Sequence, residues 1–390
     1  MRSSFLLLLS ALILGLSAWV IHHFDAPIRH LERELDVLGS SPSYRPSPAS
    51  TFADRLRGEL SQAYEQLEPL LEDGQNPAAV YALVEGRETP DDLQVVRDYV
   101  AQAGPFLDRV EHVLTRPEIQ AAMRKGERLA WDIPRLLQTR SEISVICAAG
   151  LLDAIDGQGQ RACERFAVAM DFAYAVDDRT LISGVIRAAL EGSVHGCAMR
   201  SLEHALVDSS ALREVLEPRL ARAFDEEYRV DVVHREIQLV TELAQDLESL
   251  DGTSELQLLE SLLELKQLAT FAGLPSTFYL KHRQDLVKGD DLVMGGAAMQ
   301  SLQQHLPQGE LLRILLALHV YREMHGQWPD DLRALASLFP EGLPVDPHSG
   351  SLFPYEPHDK EAWVGPTALA KEDYPDWDRA ADLGLARVLR

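Results

Sequence analysis

The sequence predicts a mainly α-helical protein: an N-terminal single transmembrane helix, an extracytoplasmic array of antiparallel helical hairpins, and a small C-terminal α+β segment with a short β-hairpin. Three observations carry that expectation. An uncharged apolar run occupies residues 5–21. Apolar residues then recur at three- to four-residue spacing through most of the chain, broken at short intervals by Pro and Gly. Beyond residue 310 the pattern changes to aromatic-Pro and Asp-Pro turns with short apolar runs.

Composition sets the outer bounds. Hydrophobic residues make up 46% of the 390, enough to build a core, which excludes wholesale disorder. The 37 basic and 61 acidic side chains leave a formal charge of −24. Such a surface repels phosphate backbones, so no nucleic-acid partner is expected. Three cysteines, Cys147, Cys163 and Cys197, form no Cys-x-x-Cys pair, and their spacing does not fix whether any two are joined.

The first domain, residues 1–26, is read as a signal anchor. Phe5 to Ile21 spans roughly 25 Å as a helix, close to the hydrocarbon thickness of a bilayer. Trp19 sits at its far end, where indoles favour the interface, and His22, His23 and Asp25 close it. A cleaved signal peptide is the alternative, since Gly15 and Ser17 offer a small-x-small site. Arg2 before the run and acid-rich sequence after it orient the body outward, which predicts a single-pass protein of the bacterial inner membrane with its C-terminal body in the periplasm.

Residues 27–50 follow as a juxtamembrane helix and a Ser/Pro linker. Pro27 suits a first helical position, and Ile28, Leu31, Leu35 and Leu38 keep a/d spacing before Gly39, a face that could pair two copies of the chain or lie on its own body. Residues 51–310 read as the helical-hairpin domain. Phe52, Leu56, Leu60, Tyr64, Leu67 and Leu71 form the first stripe, with Thr51 and Asp54 as a capping pair. Asn76-Pro77 and Thr89-Pro90 are cap-plus-first-position signals, and Gly104-Pro105, Arg116-Pro117, Gly157, Asp251-Gly252 and Gly273-Leu-Pro275 mark further breaks. Val230 to Leu247 and Leu256 to Leu263 give one more hairpin. Gly184, Ala188, Gly192 and Gly196 recur every four residues, a ridge read as a site of close helix approach. Gly150, Ala162, Phe166 and Ala169 resemble the small and aromatic packing positions of one tetratricopeptide helix pair, which implies helix-pair packing over about one repeat and says nothing of peptide binding.

Residues 311–390 carry the most specific pattern. Gly326 ends a helix, Pro329 holds Trp328 extended, and Asp330 or Asp331 starts a short helix whose Leu332, Leu335 and Leu338 face inward. Leu352 to Tyr355 and Ala362 to Val364 flank a polar turn as two short strands would. Together with Tyr321, Asp346, Pro347 and Gly350, these positions resemble the region after the long helix in type II secretion pseudopilins, as it recurs in uncharacterised bacterial envelope proteins. The resemblance spans about a tenth of the chain. The N-terminus lacks that family's Gly-Phe-Thr-Leu-x-Glu processing motif, which argues against a pilus subunit.

No nucleophile elbow, Walker loop, dinucleotide fingerprint or His-Glu-x-x-His helix is present, so no catalytic residue and no cofactor is assigned. His195 and Cys197 lie two apart in a helical stretch and point to different faces, so a thiolate site there needs a partner from elsewhere. His319 and Glu323 share a helical face, while Glu226, Glu227, His234 and Glu236 are scattered by helical spacing. Glu372, Asp373, Asp376, Asp378 and Asp382 form the densest acidic run. The pseudopilin resemblance makes Asp373, Asp376 and Asp378 calcium candidates, against which stands a solvated, helix-capping role. The sequence thus points to a noncatalytic interaction or envelope assembly factor that contacts other envelope proteins. The alternative is an extracytoplasmic hydrolase or metal-dependent enzyme with a site assembled between helices.

Overall fold

A computed structural model of the chain describes residues 51–72, 77–124, 133–177, 180–220, 232, 295–346, 349–358, 362–365 and 387–389. The chain divides into two units, Met1–Pro48 with Val230–Gly273 and Ala49–Arg229 with Leu274–Arg390. Every element below belongs to the second. The apolar run at residues 5–21, the juxtamembrane helix, the linker, the stripes at 230–247 and 256–263, the Glu226–Glu236 group and the acidic run with Asp373, Asp376 and Asp378 lie outside the described residues.

The interpretable part is 76% helical. The helices are α1 (Thr51–Glu72), α2 (Pro77–Glu85), α3 (Pro90–Gln102), α4 (Gly104–Leu114), α5 (Pro117–Arg124), α6 (Ile133–Ile155), α7 (Gly159–Ala175), α8 (Leu181–Glu203), α9 (Ser209–Leu220) and α10 (Gly295–His325). Their starts follow the punctuation read from the sequence: α2, α3 and α5 each open on a proline, which forfeits no helical hydrogen bond at that position. At α3, Thr89 and Asp92 close a capping box, with the Thr89 backbone N–H and hydroxyl both donating to the Asp92 carboxylate.

α7 is the centre of this unit. Thirteen of its 17 residues are buried, from Ala162 to Ala175, and it packs against α4, α6, α8 and α9. Its alanines (Ala162, Ala167, Ala169, Ala173, Ala175) keep helix propensity high and let neighbours approach on every side. The closest pairing is with α6. A Cβ on Gly150 would lie 2.8 Å from Cε1 of Phe166, so the glycine of one helix makes room for the aromatic ring of the next. The α1 stripe is also as expected, with Leu56, Leu60, Tyr64 and Leu67 buried and Leu71 packed at the core's edge.

Ion pairs add to the apolar contacts within and between the helices. Arg97 of α3 grips Asp156 at the end of α6 with two hydrogen bonds of 2.5 and 2.6 Å. Asp171, buried in α7, accepts from Arg219 of α9 at 2.7 Å and Gln120 of α5 at 2.8 Å. The deepest is Arg187 of α8, whose guanidinium meets Asp177 at 3.2 Å and Glu191 at 2.7 Å and stacks over Tyr174. Such buried charges hold one arrangement in place, because losing one partner strands the other in a low-dielectric interior.

α10 runs unbroken from Gly295 to His325, so residues 310 and 311 lie within one helix. Its apolar stretch at residues 311–321 is core: Leu311, Leu312, Ile314, Leu315, Leu316, Ala317, Leu318 and Val320 are buried, and α10 packs on α8 and α9. Among the described residues no helix is long and apolar enough to cross a membrane. Gly326, at φ +72°, ends α10, and Asp331 caps a seven-residue 3₁₀ helix, Leu332–Leu338, by accepting from the Arg333 N–H. Leu332 and Leu335 are buried and Leu338 partly so. The small antiparallel sheet has the order β1 (Tyr355–Pro357), β2 (Ala362–Val364), β3 (Arg387–Leu389), with Tyr355 opposite Val364 and Val364 opposite Arg387.

Three corrections follow. The first strand begins at Tyr355 and not at Leu352, because pairing with β2 starts with Tyr355 opposite Val364, the last residue of β2; the Tyr355 hydroxyl donates to the Pro329 carbonyl at 2.9 Å. The chain's last residues add a third strand that the sequence pattern did not reveal. The glycine ridge on α8 is not a line of close contacts at Gly196, where an added Cβ would meet nothing within 4 Å.

Candidate functional site

Two places in the described residues combine accessible space or reactive side chains with definite geometry. The first is a groove of about 610 Å³ between α4 and the start of α7. α4 contributes Asp108, Glu111 and His112, and Thr115 caps its C-terminal end. The α6–α7 turn contributes Gly157 and Gln158, and the first turn of α7 contributes Gly159, Gln160, Arg161 and Glu164. The turn is built by Gly157, whose φ of +75° suits a residue without a Cβ. The Gln158 N–H donates to the Asp153 carbonyl and the Gly157 N–H to that of Ala154, closing the end of α6.

The groove is open and polar. Asp108, His112, Arg161 and Glu164 are all exposed, and three carboxylates face one guanidinium and one imidazole. Arg161 is drawn toward Asp153 at 3.6 Å, which leaves the groove's floor acidic. None of its acids is buried, so the groove supplies no desolvated proton donor or base; it offers charge and hydrogen bonds to a ligand that brings its own complementary groups.

The second place is buried. Cys147 of α6 and Cys197 of α8 are both fully enclosed, on two helices that pack together. The guanidinium of Arg200 donates from Nη2 to Cys197 Sγ at 3.7 Å and to the Val84 carbonyl at 2.9 Å. Val84 lies in the last turn of α2, so Arg200 caps that helix's free carbonyl with a positive charge while standing beside the sulfur. The same carbonyl is 3.7 Å from Cys197 Sγ. Gly86, at φ +71°, is needed here: a Cβ would come within 3.0 Å of Arg200 Nη1. Burial pushes Cys163 up to about 11, an inert thiol on α7.

Of the other residues singled out from the sequence, His195, His319 and Glu323 lie among the described residues. His195 is buried on α8, while the hydrogen bonds of Cys197 Sγ run to Val84 and Arg200. His319 turns into the core against Trp328, with rings edge to face at 5.6 Å, whereas Glu323 is exposed and accepts from the Ser209 hydroxyl at 2.6 Å. Among the described residues no group of three His, Cys, Asp or Glu could hold a metal ion. Sequence reasoning missed both the groove and the contact of Cys197 and Arg200 with α2. Arg200 three residues after Cys197 was a visible same-face signal, but nothing in the sequence showed that the end of α2 would lie against them. No family model, no curated protein and no solved structure matches this chain.

Proposed function

We propose that this protein is a noncatalytic interaction factor, tethered to the bacterial inner membrane by residues 5–21, whose helical body makes contacts with other envelope proteins in the periplasm during assembly or secretion. The observation that carries the reading is the open, acidic groove between α4 and α7, which presents Asp108, Glu111 and Glu164 to solvent and encloses no converging acid, base and nucleophile. An open polar surface of this kind suits a partner that brings basic side chains, where each exposed ion pair contributes ~0–1 kcal/mol and affinity comes from several acting together. Charge repulsion supports the choice of partner, since a body of formal charge −24 disfavours other acidic macromolecules. The pseudopilin-like resemblance after residue 310 supports the envelope setting.

The test replaces Asp108, Glu111 and Glu164 with Lys in the full chain and compares proteins captured from gently solubilised membranes with those captured by the parent. Asp108 and Glu164 are exposed and Glu111 is half-buried, so the substitutions should leave helicity unchanged, as circular dichroism would verify. Loss of specific captured proteins is expected. An identical captured set would overturn the role of the groove.

A further inference from the structure

We propose that the segment after α10, from Gly326 to Phe339, is a latch whose Trp328 end is released when His319 takes up a proton, with the Phe339 end as its hinge. The two ends are fastened by different chemistry. At the first, the buried indole of Trp328 meets the buried imidazole edge to face at 5.6 Å, and neither His319 Nε2 nor Trp328 Nε1 has a hydrogen-bond partner among the described residues. A proton on Nε2 would put a charge with no acceptor into an apolar interior, next to the Arg322 guanidinium that covers the same indole at 4.5 Å. The second end is held by guanidiniums, which keep their charge throughout the range in which His titrates. Arg213 of α9 donates to the Leu338 carbonyl and stands over the Phe339 ring at 4.9 Å, and Arg313 of α10 lies 5.7 Å from the same ring.

The other charges on the packed elements are engaged elsewhere or point to solvent. On α10, Glu323 accepts from Ser209, Glu310 pairs with Arg313, and the exposed His325 lies against Tyr321. On α9, Arg213 and Glu217 join the Arg313 cluster, Arg219 pairs with Asp171 of α7, and Glu214 is exposed. On α8, Arg187 pairs with Glu191, Arg200 turns to the end of α2, His195 is buried and Glu203 is exposed. Within the latch, Asp331 binds Arg333, and Asp330 is exposed. Among the described residues Arg322 is the charge that acts on the imidazole, and its sign disfavours a second cation. Burial holds the Glu310 carboxyl above its usual range, so acid at that position favours the packed state and opposes release. The inference rests neither on the groove nor on the membrane anchor.

The test is hydrogen–deuterium exchange of the purified full chain in detergent at pH 7 and pH 5, each corrected for the intrinsic exchange rate at that pH. Opening of the latch should rise roughly twentyfold between the two, the factor that follows from an imidazole at 6.5 when released and about 4 when packed. Peptides covering Trp328 to Leu335 should show the rise, while those of α6, α7 and α8 should not. His319→Phe keeps a flat ring against Trp328 but takes no charge, and His319→Gln provides a second neutral side chain should the first variant not fold. Either should leave the latch equally protected at both pH values. Three results overturn the proposal: a parent latch with no loss of protection at pH 5, a body that opens together with it, or a neutral variant that still opens in acid.

Discussion

His319 shows how a single side chain ties the long helix to the segment that follows it. Its ring meets the indole of Trp328 edge to face, and Arg322, one turn on, covers the same indole at 4.5 Å. Nε2 is buried without a hydrogen-bond partner among the described residues, so a proton there would gain nothing to offset its desolvation. Burial, reinforced by the Arg322 charge, lowers the pKa from 6.5 to about 4. The folded protein therefore binds fewer protons than the unfolded chain between those two values, so the stabilising effect is complete above pH 6.5 and is lost as the pH falls toward 4. That loss amounts to on the order of 3 kcal/mol for this one group. Denaturant titrations of the parent and of His319→Phe across that range should show the parent's midpoint falling more steeply, and parallel curves would contradict the assignment. The sequence placed His319 beside Glu323 on one helical face; it did not reveal that Trp328 would fold back over the imidazole, because that contact depends on the turn at Gly326.

At the level of elements, what could be read in advance was what local chemistry dictates. Thr89-Pro90, Pro117 and Gly326 mark helix ends through hydrogen bonds and backbone angles that involve only their neighbours, and the structure places the ends there. Leu332 and Leu335 pointed inward for the same reason. The exceptions are tertiary. α1 continues through Pro69 and α9 through Pro218, each near a helix end, where burial of Leu67 and Leu216 outweighs a lost hydrogen bond. The glycines separate local from tertiary effects most clearly. Gly150 is required, because a methyl group there would collide with Phe166 at 2.8 Å, whereas at Gly196 it would meet nothing. Thermal unfolding should show Gly150→Ala destabilised by about 1–3 kcal/mol through overpacking. Gly196→Ala should be stabilised by about 1 kcal/mol through helix propensity. The opposite order would mean that the α6–α7 contact has been misassigned.

For the whole molecule, the α4–α7 groove and the contact of Cys197 and Arg200 with α2 share one reason for having been hidden. Each is assembled from helices about fifty or more positions apart in the chain, and each contributing stretch reads alone as an ordinary exposed polar face or an ordinary apolar one. The charge balance could be read directly. So could the helical architecture and the C-terminal hairpin, since both depend on periodicity and punctuation. The function proposed here requires the body that carries the groove to stand outside the cytoplasm, held by the apolar run at residues 5–21. Alkaline phosphatase joined after Ser50, which folds to an active enzyme only where its own disulfides can form, tests that placement directly. An active reporter in intact cells is the predicted result, and a stably expressed but inactive fusion would contradict it.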